Sequence, residues 1–301
     1  MITRHLQDTA LRYFHEVVRY GSISEAAQHL HVAPSAISRQ IARLEQLLET
    51  TLFERHARGM VPTAEGEILA DHARRMQLDA ERALLDIMAL RGLQAGRVRV
   101  AGSEAFVNEF LPPLIAAFQR THQGIEFELN SAPPHAISDQ VRSGDTDIGI
   151  KFSHTPDPDV HVELRQTAPV VVVMNPAHPL AHKSVLELVH LQDCTLALPS
   201  PESTLRQMLD IACSHQQLHL KPLFTSNNMM ALHNFAAAGE GVTVSSYLSV
   251  RKQVQSGRLA AVPLRDPVLD QRSIEVQTLA GRTLPMAVNA FLDVLKTHLT
   301  R

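Results

Sequence analysis

Near residue 95 the hydrophobic pattern of this chain changes period, and the two halves cannot share one architecture. Through Leu93 the apolar residues recur at helical spacing, and every basic residue is Arg; the first Lys is Lys151. After Gly96, short β-rich runs alternate with helical stretches: VRVAG at 98–102, IEFEL at 125–129, DIGI at 147–150 and PVVVVM at 169–174. TLAL at 195–198, VTVSS at 242–246 and SIEVQ at 273–277 continue the series. Strands alternating with helices predict a mainly parallel sheet covered on both faces. The expected fold class is therefore α/β, preceded by a small helical module and a long helix.

Composition narrows the function classes. The 301 residues suit two domains, or three, at roughly 150 residues each. With 45% apolar and 20% charged residues there is material for more than one core. No stretch approaches the roughly 20 apolar residues that span a bilayer, so no membrane partner is expected. The N-terminal MITRHLQDTALRYF lacks a basic-then-apolar run with a cleavage site. Cys194 and Cys213 are the only cysteines, which excludes a disulfide scaffold and fits the reducing cytoplasm. A formal charge of −3 announces no polyanion binder, so any nucleic-acid contact must come from local charges.

Such a local arrangement lies in the first sixty residues. Asp8 can cap a helix whose face is Leu11, Phe14 and Val18, ended by Tyr20-Gly21. Ser22 and Glu25 form a capping box opening a short helix with Ala26, Ala27 and Leu30 inside. After the turn His31-Val32-Ala33, Pro34 suits the first position of another helix. On that helix Ile37, Ile41, Leu44 and Leu48 are expected to face the core, leaving Ser35, Ser38, Arg39 and Ala42 on a second stripe. A short helix, a turn and a two-faced helix make a helix-turn-helix, whose second helix enters the major groove. Arg39 can donate twice to guanine, and the two serines reach bases or phosphates. LFERHARGMVPT at 52–63 then reads as a two-stranded wing carrying Arg55 and Arg58. Ser22, Ser35, Ser38, Arg39, Arg43, Arg55 and Arg58 are the candidate contacts to double-stranded DNA. Residues 1–62 hold seven Arg against six acids, so the phosphate term is modest per subunit and roughly doubles in a dimer. A plain helical bundle satisfies the same periodicity.

Thr63 can cap a helix running to about Leu93. Leu69, Ala73, Met76, Ala80, Ala83, Ile87 and Leu90 are spaced 4, 3, 4, 3, 4, 3 along it, a heptad seam that predicts pairing between chains. At about 45 Å such a helix outreaches a small domain's core. Packing against the chain's own C-terminal region is the other way to cover it.

Beyond residue 95, three strand-like runs lead into helices opened by hydroxyl or amide residues. They are VRVAG before Ser103, TLAL before Ser200–Thr204, and LFT before Ser226-Asn227-Asn228. In open α/β sheets ligands sit beyond the strand carboxyl ends, where helix N-termini present free N–H groups. The convergence predicts a pocket for a small anion such as a carboxylate, with Ser103, Ser203, Thr204, Ser226 and Asn227 as candidates and Ser131 and Lys151 as further contacts.

The residues from LRYFHEVVRYGSISEAAQ to PTAEGE resemble the DNA-binding region of LysR-type transcriptional regulators. The shared features are Tyr13-Phe14, Gly21-Ser22, Ala26-Ala27, Ser38–Ile41, Leu44-Glu45, Leu52–Arg55 and the T-x-x-G of Thr63–Gly66. The resemblance implies a winged helix-turn-helix over 1–62 and a linker helix for dimerisation over 63–93. It implies a periplasmic-binding-protein-like effector domain over 94–301, with subdomain I at about 94–165 plus 267–301 and subdomain II at about 166–266. A homodimer, further paired into a homotetramer, would move its DNA-binding pairs when an effector shifts the assembly. Ser103, Thr204 and Ser226 align with positions where family members contact effectors. One departure is Ala33-Pro34-Ser35, where many members have Ser-Gln-Pro, so base reading falls on Ser35, Ser38 and Arg39.

Other chemistries find less support. Cys213, His215 and His219, or His178 and His182, have loose metal-like spacing, but Pro179 disfavours a helix at the second pair, and no metal site is assigned. Neither cysteine has a flanking Lys or Arg to make it a redox sensor. No G-x-S-x-G, P-loop, H-E-x-x-H or G-x-G-x-x-G occurs, so neither enzyme activity nor a cofactor is expected. The rival reading is a cytoplasmic small-molecule binding protein without specific DNA recognition.

Overall fold

The computed structural model describes residues 9–56, 59–90, 96–153, 157, 160–239 and 241–300, apart from the side chains of Arg55, Ala89 and Leu90. Asp8 and Arg58 lie outside the described residues, as does the expected end of the long helix at Leu93. The chain divides into two compact units, Met1–Gly96 with Gly281–Met286, and Arg97–Ala280 with Ala287–Arg301.

In the first unit, α1 (Thr9–Tyr20), α2 (Ile23–Leu30) and α3 (Pro34–Leu48) surround one core. Phe14, Val17, Ala26 and Ile37 are wholly buried there, with Phe14 5.0 Å from the ring of Phe53. Alanine at 26 and 27 lets the helices approach closely, and Ser22 caps α2 by accepting from the Glu25 amide at 3.4 Å. Ile37 and Ile41 face inward as expected, and Leu44 packs partly against them. Leu48 does not. It is 47% exposed beside an exposed Leu47, because the last turn of α3 runs past the edge of so small a core.

The wing is the hairpin β1 (Phe53–His56) and β2 (Gly59–Pro62), paired from Phe53↔Pro62 to His56↔Gly59. It is pinned at both ends. The Met60 amide donates to the Gly21 carbonyl at 2.8 Å, and a Cβ on Gly59 would fall 2.5 Å from that oxygen. At the other end α4 (Ala64–Leu90) begins with Thr63, whose hydroxyl donates to Thr51 O at 2.8 Å and accepts from the Gly66 amide at 3.0 Å. A Cβ on Gly66 would stand 2.2 Å from the Leu52 carbonyl. The spacing of threonine and glycine thus has a steric cause. The Glu45 carboxylate closes the corner by accepting from the Leu52 amide at 2.9 Å.

The second unit holds two five-stranded sheets rather than a single mainly parallel one. The first draws on β3 (Gly96–Gly102), β4 (Ile125–Ser131), β5 (Ile148–Ser153) and β6 (Val160–Thr167), with α5 (Leu111–Gln119) and α6 (Pro134–Arg142) between them. The second is built from β7 (Val170–Met174), β8 (Thr195–Pro199), β9 (Pro222–Ser226), β10 (Gly241–Ser246) and β11 (Ala260–Pro263). Its helices are α7 (Thr204–His215), α8 (Met229–Ala238) and α9 (Tyr247–Gln255). The chain then returns to the first sheet as β12 (Ser273–Leu279) and ends in α10 (Met286–Leu299).

Each sheet contains a reversed strand. β12 runs antiparallel to β5 and β6, and β7 runs antiparallel to β10 and β11, whereas β8 pairs in parallel with β9 and β10. The reversed strands are the ones entered directly after a crossing between sheets. Those crossings lie between Thr167 and Val170 and between Pro263 and Ser273, and the Ala168 amide donates to the Arg272 carbonyl at 2.8 Å, tying one to the other. β6 and β11 had no clear signature in sequence; β6 alternates apolar and charged residues, and β11 is four residues long.

β12 is buried along its whole length, polar residues included. Their hydrogen bonds form a chain. Lys151 Nζ donates to Ser138 Oγ at 2.7 Å, which donates to Gln277 Oε1 at 2.9 Å. Gln277 Nε2 then donates to Glu275 Oε2 at 2.7 Å, and the Arg165 guanidinium pairs with the other Glu275 oxygen. A buried polar network is tolerable only when its members are satisfied in this way. Among the described residues no helix is long and apolar enough to cross a membrane.

Candidate functional site

The first candidate surface is the outer stripe of α3. Ser35, Arg39, Ala42 and Arg43 are exposed and Ser38 is half-buried, opposite the buried Ile37 and Ile41. Arg39 Nε rests on the Ser35 carbonyl at 3.3 Å, which holds the side chain along the helix with its remaining donors outward. Ala33 offers no side-chain acceptor to the first turn of α3. Such an uncapped N-terminus suits an anion. Ser22 is half-buried and engaged in capping α2. Arg55 stands opposite Met60 in the wing hairpin with its side chain outside the described residues, and Arg58 lies outside them altogether.

Along α4 the seam is unevenly covered. Leu69 packs against the helix-turn-helix core, while Ala73 and Ala80 are buried within the single chain. Met76 and Ala83 are half-buried, Ile87 is 48% exposed, and the Leu90 side chain is not among those described.

The second candidate is a cleft of about 480 Å³ in the second unit. Ser103, Ser131, Ser203, Thr204, Ser226 and Asn227 all line it. Their convergence follows from topology, since each stands at the carboxyl end of a strand or in the turn or helix start that follows it. Ser103 is held by its amide, which donates to Ile150 O at 3.0 Å, while its hydroxyl is buried without a partner. Ser203 precedes α7 and makes no side-chain cap. Ser226 Oγ accepts from the Asn228 amide at 3.0 Å, and Asn228, not Asn227, caps α8. Lys151 is not in the lining: its ammonium is committed to Ser138, and burial holds its pKa below the usual lysine range.

Among the lining groups that sequence reasoning missed, four have defined partners. Ser245 is bonded to the buried His233 at 3.0 Å, and burial pushes that imidazole down to about 4. Glu104 accepts from the Met229 amide at 3.2 Å, joining the helical segment after β3 to the start of α8. Phe152 and Arg272 are stacked, the guanidinium carbon 3.6 Å from the ring centroid. Glu104 adjoins Ser103 and was within reach of the strand-end argument; Arg272 lay on no motif.

A larger surface cavity of about 1070 Å³ is lined in part by His178, His190, Asp193 and Cys194. Burial, with Asp193 beside it, raises the Cys194 pKa, and burial pushes the Cys213 thiol up to about 11. Thiols so shifted are poor thiolates at neutral pH. Among the described residues no three His, Cys, Asp or Glu are grouped to hold a metal ion.

Residues 91–300 match the LysR substrate binding domain. The chain belongs to the LysR family. Residues 9–67 match the bacterial regulatory helix-turn-helix protein, lysR family, which covers α1 to the wing. This regulator is 25% identical over 297 residues to the RuBisCO operon transcriptional regulator of Allochromatium vinosum, covering 99% of this chain and 98% of that one. It is 26% identical to the transcriptional activator protein LysR of Escherichia coli, covering 96% and 97%. In fold it is similar to a full-length OxyR variant from Pseudomonas aeruginosa, with TM-score 0.71, 22% identity and 96% and 94% of the two chains covered. It is also similar to full-length CbnR in complex with its target DNA, with TM-score 0.54, 20% identity and 99% of each chain covered. The regulator is thus a DNA-binding transcription factor with an effector-binding domain, and not an enzyme.

Proposed function

We propose that this cytoplasmic regulator reads operator DNA through α3 and its wing, and that a small anionic effector in the cleft of the second unit modulates that binding. Ser35, Ser38, Arg39 and Arg43 meet the major groove, Ser22 meets a phosphate, and Arg55 and Arg58 flank the backbone. The observation that carries this is the division of α3 into a buried isoleucine face and an exposed arginine and serine face. DNA binding occupies 1–62, the linker 63–93 and effector binding 94–301. Two chains pair through Met76, Ala83 and Ile87 of α4, seam positions that are half-buried or exposed in one chain.

In the cleft the unpartnered Ser103 hydroxyl, with Thr204 at the start of α7, supplies donors that an acid group accepts. Ser131, Ser203, Ser226 and Asn227 surround the rest of the ligand. Gel shifts with upstream genomic fragments test the DNA assignment. The native protein is expected to form a sequence-preferring complex that Arg39→Ala weakens by about 1–3 kcal/mol. Met76→Glu is expected to sediment as a monomer and bind more weakly. A dimer unchanged by Met76→Glu places the pairing elsewhere, and no preferring complex at low salt leaves a small-molecule binding protein.

A further inference from the structure

Arg272 is the least comfortable charge among the described residues of the effector domain. It is 4% exposed, its Nε and Nη1 have no hydrogen-bond partner, and its flat face is covered by Phe152 at 3.6 Å. Burial drags its pKa down to about 9, and no carboxylate offsets that effect. A guanidinium placed this way without a counter-charge destabilises the free protein. The cleft's own acids are placed otherwise: Glu104 is engaged by the α8 amide, and Glu202 stands exposed at the mouth. The Ser103 hydroxyl in the same cleft is likewise buried and unpartnered. Ser103 and Arg272, each with buried donors that meet no partner, thus line the same cavity.

We infer that Arg272 is the anion receptor of the effector cleft, pairing with the carboxylate of a small organic acid to which Ser103 also donates. This rests on the reading of the cleft as the effector site and adds the residue that selects the ligand's charge. A planar carboxylate matches the fixed donors of a guanidinium already stacked on one face. Charge count favours a single acid group: among the described residues lining the cleft Arg272 is the one Lys or Arg, since Lys151 is turned to Ser138. A phosphate dianion would keep an unmatched charge.

Its place in the chain gives the pairing a consequence. Arg272 immediately precedes β12, its amide donates to Leu269 O at 3.1 Å, and its carbonyl accepts from the Ala168 amide at 2.8 Å. The side chain that meets the ligand thus belongs to the residue where both crossings between the sheets are tied together.

The test uses the full-length protein, dye-monitored melting and titration calorimetry. Acetate, lactate, benzoate, 2-oxoglutarate, inorganic phosphate and glucose are supplied at about 10 mM. At least one carboxylate is expected to raise the melting temperature of the native protein. Arg272→Met is expected to lose that response, with binding weaker by about tenfold or more, and to melt at or above the native temperature when ligand-free. Arg272→Lys, which keeps the charge but not the fork, is expected to retain a weakened response and decides the matter if Arg272→Met fails to fold. A response to phosphate or glucose alone, no response to any carboxylate, or a carboxylate response undiminished in either Arg272 variant overturns the inference. Thr204→Ala separates the two levels. Loss there with retention in Arg272→Met overturns only the role of Arg272, whereas retention in both removes the effector site from this cleft.

Discussion

Arg39 and Arg272 carry the same guanidinium into opposite surroundings. Arg39 is exposed on α3, its Nε on a carbonyl of its own helix, and costs almost nothing to hold in water. Arg272 is buried against Phe152 with donors unmet. An exposed arginine adds one increment to a sum over many phosphates, which salt screens. A buried one responds to a single charge in a shielded place, and is tuned by geometry rather than by number. The helix-turn-helix can therefore be weakly charged overall and still bind DNA, while in the effector cleft Arg272 is a single buried cation.

The contrast between a locally built module and a globally built cleft can be broken at three points. The largest effect is expected at Gly66. Its α-carbon faces the Leu52 carbonyl so closely that Gly66→Val must displace backbone, at about 3 kcal/mol or more. DNA binding should vanish while the effector domain, followed by circular dichroism and ligand response, stays folded. A Gly66→Val protein that binds DNA normally would mean the corner is softer than its packing.

An acid titration is expected to strike the other unit. His233 is buried and neutral beside Ser245, with its pKa pushed down to about 4 from an ordinary 6.5. Between those values the unfolded chain binds the proton and the folded one does not, so stability falls as pH falls. The contribution is intact above pH 6.5 and is lost progressively to about pH 4, amounting to about 3 kcal/mol at most. His233→Gln should flatten that slope in urea melts, and an unchanged slope would assign acid sensitivity elsewhere.

The smallest effect is expected at Glu104, whose carboxylate accepts from the first amide of α8. Glu104→Gln keeps the shape and removes the charge from a helix N-terminus, costing about 0.3–1 kcal/mol. A slightly lower melting temperature of the ligand-free protein checks this, and none at all would make the contact incidental.

The legibility of each part depends on the range of its interactions. The capping serine, the proline at the start of α3 and the threonine-to-glycine corner act within a few residues, so α1 to the wing could be placed from residue order. The ends were less certain: Leu48 carries the core period but projects past the core. In the second unit β3, β7 and β10 were plain in sequence, while β6 and β11 emerged only as partners of neighbouring strands. Hydroxyl residues at strand ends pointed to the cleft because topology places such ends together. Lys151 pointed the same way and goes instead into a buried chain with Ser138, Gln277 and Glu275.

Local order alone thus determined the helices of the first unit, the long helix α4 and the α/β character of the C-terminal two thirds, since helix periods, caps and turn residues act over one or two turns of backbone. Tertiary structure decided the rest: two mixed sheets, the reversed strands, and the arrival of Arg272 in the cavity that Ser103, 169 positions earlier, also lines. Burial and the absence of a counter-charge are properties of a residue's surroundings in space, and no short stretch of residues contains them.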